Sequence, residues 1–252
     1  MSEPLVGLGD ITGQRKVVVL SGATGGMGRA IAADLAKDFD VVALGRDAGR
    51  LSALASIDGA FPVSWDLLDY PRIPELVDAL PRIDVVVHTA AIARRHSVAD
   101  ASIADWREHL ELNVVAPAEL TRVALPALRE ARGQVVFINS GAGFTAGAGH
   151  SVYSASKFAL RSLADSLRKE EEIHGVRVAS VHPGQTDTPM LREDHLAAGS
   201  EYAPHKYIRP DSVAAAVRTV VTATEDTQIT TVSVRPRTEL GPPSRTEKEV
   251  HP

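Results

Sequence analysis

Short runs of apolar, mostly β-branched residues recur along the chain, and between them lie longer stretches in which apolar residues return every three or four positions. Runs such as VVVL at 17–20 and DVVVH at 84–88 show no alternation with polar residues, the pattern of strands buried on both faces. The pattern predicts strands at Lys16–Leu20, Asp40–Leu44, Gly59–Ser64, Ile83–His88, Gln134–Asn139, Arg177–His182 and Ile229–Val234. It predicts helices at Gly26–Lys37, Arg46–Ser56, Ile73–Leu80, Ile103–Arg129, Val152–His174 and Asp211–Ala223. Strand and helix alternate throughout, which calls for an α/β fold: a doubly wound parallel sheet of about seven strands with helices on both faces, in a single domain.

Local signals refine these boundaries. Ser102 with Asp105, and Asp211 before VAAAV, read as helix caps. Pro117 inside the fourth helix predicts a kink or break near Val115. The stretch Gly184–Pro210, rich in proline, charge and small residues, reads as a mobile loop holding a short helix. Residues 1–13 read as a flexible N-terminus, 14–235 as the folded domain and 236–252 as a flexible tail.

Composition narrows the function classes. A chain of 252 residues, 44% hydrophobic and 23% charged, is an ordinary globular protein with enough length to bury a large core. A formal charge of -5, without a run of lysines and arginines, argues against nucleic acid as a partner. The absence of cysteine excludes disulfides, thiolate catalysis and thiolate metal ligands. The nine histidines show no metal-ligand spacing, so no metal is expected. No stretch approaches the ~20 apolar residues of a membrane helix, and residues 1–15 lack the apolar core of a signal peptide. The expectation is a cytoplasmic protein with no membrane partner.

The segment VVVLSGATGGMGRAIAADLA runs from strand through a glycine turn into a helix, the context in which a glycine cluster serves a dinucleotide. Gly22, Gly26 and Gly28 would let main-chain amides approach a pyrophosphate, whose charge the following helix N-terminus favours. No Gly-Lys-Ser/Thr follows, so nucleoside-triphosphate hydrolysis drops out. At the end of the second strand, where an acid would hold the ribose hydroxyls of NAD, stand Gly45 and Arg46. A guanidinium there favours the 2′-phosphate, so NADP(H) is expected over NAD(H).

The run YSASK sets Tyr153 and Lys157 four apart, on one face of a helix. A free tyrosine titrates near ~10, and a neighbouring ammonium would stabilise the phenolate and draw it toward the working range. The pair follows the fifth strand, whose end carries Asn139 and Ser140, and ligands of a doubly wound sheet lie beyond such strand ends.

Taken together, SGATGGMG after strand one, WDLLD after strand three, HTAA after strand four, LNVVAP, the serine of INSGAG, YSASK and HPGQTDTPM resemble the short-chain dehydrogenase/reductase family, in its short single-domain branch, over residues 14–235. The resemblance implies a Rossmann-type fold and an oxidoreductase acting on a carbonyl or secondary alcohol. It implies that Tyr153 exchanges a proton with the substrate oxygen, that Lys157 lowers the tyrosine pKa and holds the nicotinamide ribose, and that Ser140 polarises the carbonyl. Asn113 would hold a water of the proton relay. Ser21, Gly22, Thr24, Gly26, Met27, Gly28, Arg46, Asp66, Leu67, Ala90, Ala91, Pro183, Gly184, Thr186 and Thr188 would border the cofactor, with Asp66 at the adenine and Thr188 at the carboxamide. By the same analogy the two long helices would pair in a homodimer or homotetramer.

The chain departs from the family pattern at Ser21, where Thr is usual, and at Thr89, Ala90 and Ala91, where Asn-Ala-Gly is usual. The second departure removes an amide that ties the sheet to the cofactor loop. HTAA is closer to the extended branch, which makes an NAD(P)-retaining isomerase or lyase the alternative, and a non-catalytic dinucleotide sensor the third reading. A hydrolase is excluded, because Ile138 stands where the G-x-S-x-G elbow needs its first glycine. His150 could meet a substrate or lie in solvent, and His88 and His182 read as packing residues. Glu170–Glu172 read as a solvated face, and Met190, Leu191, Phe144 and the small residues 141–149 as a modestly apolar substrate entrance.

Overall fold

The computed structural model describes residues 8–238. The predicted flexible segments fall, over residues 1–7 and 239–252, outside the described residues.

Seven strands form one parallel sheet: β1 Val17–Ser21, β2 Asp40–Gly45, β3 Ala60–Ser64, β4 Val85–His88, β5 Gln134–Ile138, β6 Arg177–Pro183 and β7 Thr231–Val234. Their order across the sheet is β3-β2-β1-β4-β5-β6-β7, so the connections reverse direction between β1 and β4. Eight α-helices connect them: α1 Gly26–Leu35, α2 Ala48–Leu54, α3 Ile73–Asp78, α4 Ile103–Leu110, α5 Ala116–Ala131, α6 Ser151–Glu170, α7 Pro189–Ala197 and α8 Pro210–Val221.

The unbroken apolar runs are explained by burial on both faces. Val17, Val19, Val42 and Leu44 pack with Leu76, Leu120, Leu128 and Leu160 of α3, α5 and α6. Val18, Leu20, Val41 and Ala43 pack with Ile31, Leu35, Leu54, Val213 and Val217 of α1, α2 and α8. Two separate cores thus sandwich the sheet and leave the carboxyl ends of the strands as the open edge, where a doubly wound fold binds ligands.

The long fourth helix is not broken at Pro117. A π-helical turn, Glu111–Val115, widens the chain between α4 and α5, and Pro117 falls in the first turn of α5. Pro126, unremarked in the sequence pattern, lies within α5. Ser102 and Asp105 form the expected capping box. Asp211 does not cap α8, because Pro210 already starts the helix and Arg209 occupies the cap position. Glu171 is not part of a solvated face: it is 2% exposed and accepts both Nε and Nη2 of Arg129, at 2.8 and 2.7 Å. The proline-rich stretch after β6 holds α7, nine residues long and capped by the Thr188 hydroxyl, which accepts from the Leu191 amide.

Candidate active site

The carboxyl edge of the sheet carries two adjoining cavities. The first, about 450 Å³, runs over the β1 turn and the ends of β2, β3 and β4. The second, about 470 Å³, lies over the ends of β5 and β6. Met27, Thr188 and Met190 line both, so the two share a wall made by the start of α1 and the start of α7.

The β1 turn is built for close approach. Gly22 has φ +69°, and a Cβ there would lie 2.5 Å from the Ala90 main-chain nitrogen. At Gly28 a Cβ would lie 2.1 Å from the Gly22 carbonyl oxygen, so the helix could not start so near the turn with any other residue. The Ser21 hydroxyl accepts from the amides of Thr89 and Ala90, at 3.2 and 3.5 Å. The tie between sheet and loop is therefore made by the Ser21 hydroxyl and the main-chain amides of Thr89 and Ala90.

Gly22, Thr24, Gly26, Met27, Gly28, Arg46, Asp66, Leu67, Ala90, Ala91 and Thr188 all line the first cavity. Ser21 is buried beneath it, with its hydroxyl used as described. Arg50, Trp65 and Arg94 line it as well. Arg50 was legible in principle, standing one helical turn after Arg46, and Asp47 pairs with it at 3.4 Å. The Trp65 indole nitrogen and the Thr89 hydroxyl are buried without a hydrogen-bond partner among the described residues, and both residues line the cavity. A turn cleared of side chains at a helix N-terminus, with the guanidinium groups of Arg46, Arg50 and Arg94 in the wall, suits the phosphates of a dinucleotide.

Ser140, Tyr153, Pro183, Gly184, Thr186 and Thr188 line the second cavity. The Thr186 hydroxyl donates to the Gly184 carbonyl at 3.0 Å. Lys157 is 2% exposed; its ammonium donates to the Ile138 carbonyl at 3.1 Å and lies 5.8 Å from the centre of the Tyr153 ring. Asn139 fastens the strand end to this helix, donating from Nδ2 to the Lys157 carbonyl at 3.2 Å and accepting the Ser140 amide at 2.9 Å.

The electrostatics differ from the simple tyrosine–lysine picture. Burial pushes the Tyr153 phenol above its ordinary value, with the Ser140 hydroxyl opposing by favouring the phenolate. Lys157 is no cause of that shift. Its charge is itself disfavoured, burial drawing its pKa down to about 8, and its ammonium is turned to the Ile138 carbonyl. The tyrosine is held as a neutral acid.

Asn113 sits in the π-helical turn, 1% exposed. Its Oδ1 accepts the Ile92 amide and its Nδ2 donates to the Ile92 carbonyl and to the Ser156 hydroxyl, each at 2.9 Å. Most of its side chain is thus spent on fixing the loop after β4 against α6, and Ser156, unnoticed in the sequence, is the other half of that joint. His88 is a packing residue: it bonds to the Thr121 hydroxyl at 2.8 Å, stacks on Phe137, and is held neutral by burial, its pKa near 3. His182 bonds from Nδ1 to the Ser140 carbonyl at 3.0 Å. Phe144 does not line the second cavity, because its ring packs on His182, 4.2 Å between centres. Nor is that cavity simply apolar: Arg95, His150, Asp194 and Arg235 stand in its wall.

Among the described residues no cluster of histidine, aspartate and glutamate suits a metal ion, and no helix is long and apolar enough to cross a membrane.

The family described as short chain dehydrogenase matches residues 16–198. An uncharacterized short-chain type dehydrogenase/reductase of Sinorhizobium fredii is 31% identical, over 88% of this chain and 91% of that protein. An oxidoreductase of the short chain dehydrogenase/reductase family from Burkholderia thailandensis superposes with a TM-score of 0.80 at 29% identity, over 88% of this chain and 91% of its own. The closed form of a serine dehydrogenase complexed with NADP+ superposes at 0.79 with 27% identity, over 86% of this chain and 94% of its own.

Proposed function

The chain belongs to the short-chain dehydrogenase/reductase family of oxidoreductases, and from that premise we propose that it transfers hydride between NADP(H) and a carbonyl/secondary-alcohol pair, with Tyr153 moving the proton. The observation that carries the reading is the seam between the cavities, where Met27, Thr188 and Met190 border both and Ser140 and Tyr153 stand in the second.

NADP(H), when bound, supplies or takes the hydride. Gly22, Thr24, Gly26 and Gly28 receive its phosphates, Asp66 and Leu67 border its adenine, and Ala90, Ala91, Pro183, Gly184, Thr186 and Thr188 border the rest. Arg46 pairs with the 2′-phosphate, Arg50 standing beside it in the cavity wall; the serine dehydrogenase relative, complexed with NADP+, supports this choice. Ser140 donates to the carbonyl oxygen, which orients the carbonyl and polarises it toward hydride attack. Tyr153, kept protonated by burial, gives its proton to that oxygen during reduction and takes one back during oxidation. Lys157 holds the ribose, and a swing of its ammonium from the Ile138 carbonyl toward the phenol would stabilise the phenolate. Asn113 holds the relay water with what its amide leaves uncommitted.

The same reading places the protein in the cytoplasm, with a domain spanning 14–235, as a homodimer or homotetramer; the exposed apolar Val115 and Phe158 support the last point. A panel of ketones and aldehydes, offered with NADPH and followed by nicotinamide absorbance, tests the reading. Carbonyl-dependent oxidation of NADPH is expected, and a panel with no turnover would remove the assignment.

A further inference from the structure

Three side chains that this chemistry leaves unused converge in the wall of the second cavity: Arg95 from the loop after β4, Asp194 from α7 and His150 just before α6. Arg95 donates from Nε to Asp194 Oδ1 at 2.8 Å, an ion pair between residues 99 apart in sequence. The Asp194 side chain is 17% exposed and that of Arg95 39%.

What the pair leaves over is informative. Asp194 takes only the Nε proton of Arg95, and the two terminal nitrogens of that guanidinium have no partner among the described residues. A guanidinium offers its donors as paired edges that match a planar carboxylate with two parallel bonds. Held by Asp194, Arg95 has already given up much of the freedom it would lose on binding. His150 does not compete for an anion, because burial and then the neighbouring Arg95 hold its pKa below the ordinary value, with Asp194 opposing.

We propose that Arg95, buttressed by Asp194, reads a carboxylate on the substrate, so that the substrates are hydroxy acids and the matching oxo acids. The inference rests on the reading above, in which Ser140 and Tyr153 take the carbonyl end of the same molecule. The acid group then lies toward the loop after β4, with Asp194 coupling its recognition to the seating of α7.

The test uses the full chain with NADPH and matched probes sharing one carbon skeleton: an oxo acid, its methyl ester, and the analogue with a phosphate monoester in place of the carboxylate. The acid is expected to exceed the ester in kcat/KM by about tenfold or more, the scale of a charge-assisted pair. In Arg95→Gln that preference should fall to near one, with the change in KM, and Asp194→Asn should give an intermediate loss. Cofactor titration by tryptophan fluorescence establishes that each variant is folded. An ester used as well as the acid, a preference for the phosphate analogue, or an acid preference surviving in Arg95→Gln would each overturn the inference. Turnover of neutral ketones without any oxo acid would overturn it and leave the hydride-transfer reading standing, whereas no carbonyl turnover at all would remove both.

Discussion

Asn113 donates from Nδ2 to the Ser156 hydroxyl at 2.9 Å, and Ser156 donates onward to the Tyr153 carbonyl at 2.7 Å. The π-helical turn of one element is thereby joined to the helix that carries Tyr153 and Lys157. Asn113 is thus the clasp between the loop after β4 and the helix that carries Tyr153.

Removing that clasp leaves the part-buried Ile92 amide and carbonyl without their Asn113 partner and the buried Ser156 hydroxyl with only its bond to the Tyr153 carbonyl. Asn113→Ala should therefore cost about 2 kcal/mol, read as a Tm lowered by roughly 4 to 8 °C. Turnover should fall as well, because Tyr153 loses its fixed position. An unchanged Tm in thermal unfolding would show that the three bonds do not hold the helix.

Arg46 follows β2 in the wall of the first cavity. Arg46→Ala should raise KM for NADP(H) by about 10- to 100-fold, the loss of a charge-assisted pair. KM for NAD(H) should scarcely move. Steady-state kinetics with both cofactors decides this, and equal effects on the two would place the 2′-phosphate elsewhere, with Arg50 the next candidate.

Lys157 gives a pH prediction with a definite sign. Burial lowers its pKa from 10.5 to about 8, so between those values the unfolded chain holds the proton that the folded chain has lost. The penalty for burying the charge is complete below pH 8 and is relieved as pH rises toward 10.5. Relative to Lys157→Met, the cofactor-free protein should gain stability across that window. Parallel denaturant curves for the two proteins, with no difference in slope against pH, would contradict the burial.

The sheet was legible because its strands are unbroken runs of valine and leucine, such as Val17–Leu20, that split between two cores as the pattern requires. The glycine turn was legible for a similar reason: at Gly22 geometry permits little else. The π-helical turn was not, since Glu111–Val115 keeps a helical apolar rhythm and the extra residue per turn leaves no compositional mark. Glu171 looked solvated among its charged neighbours, and only the tertiary fold brings Arg129 to it. The pairing of Arg95 with Asp194 was likewise hidden, because no local signal links a loop after one strand to a helix far along the chain. The tyrosine–lysine motif named the right neighbours but not their electrostatics, which depend on how deeply both are buried.

The most direct test of the central claim is carbonyl-dependent oxidation of NADPH by the wild-type protein and by Tyr153→Phe, each saturated with a carbonyl that the wild type reduces. Phenylalanine keeps the ring and removes the proton. The account predicts that kcat falls by about 10²- to 10⁴-fold, the usual contribution of a positioned acid, while the Kd for NADPH stays within a few-fold. Undiminished turnover by Tyr153→Phe would contradict it.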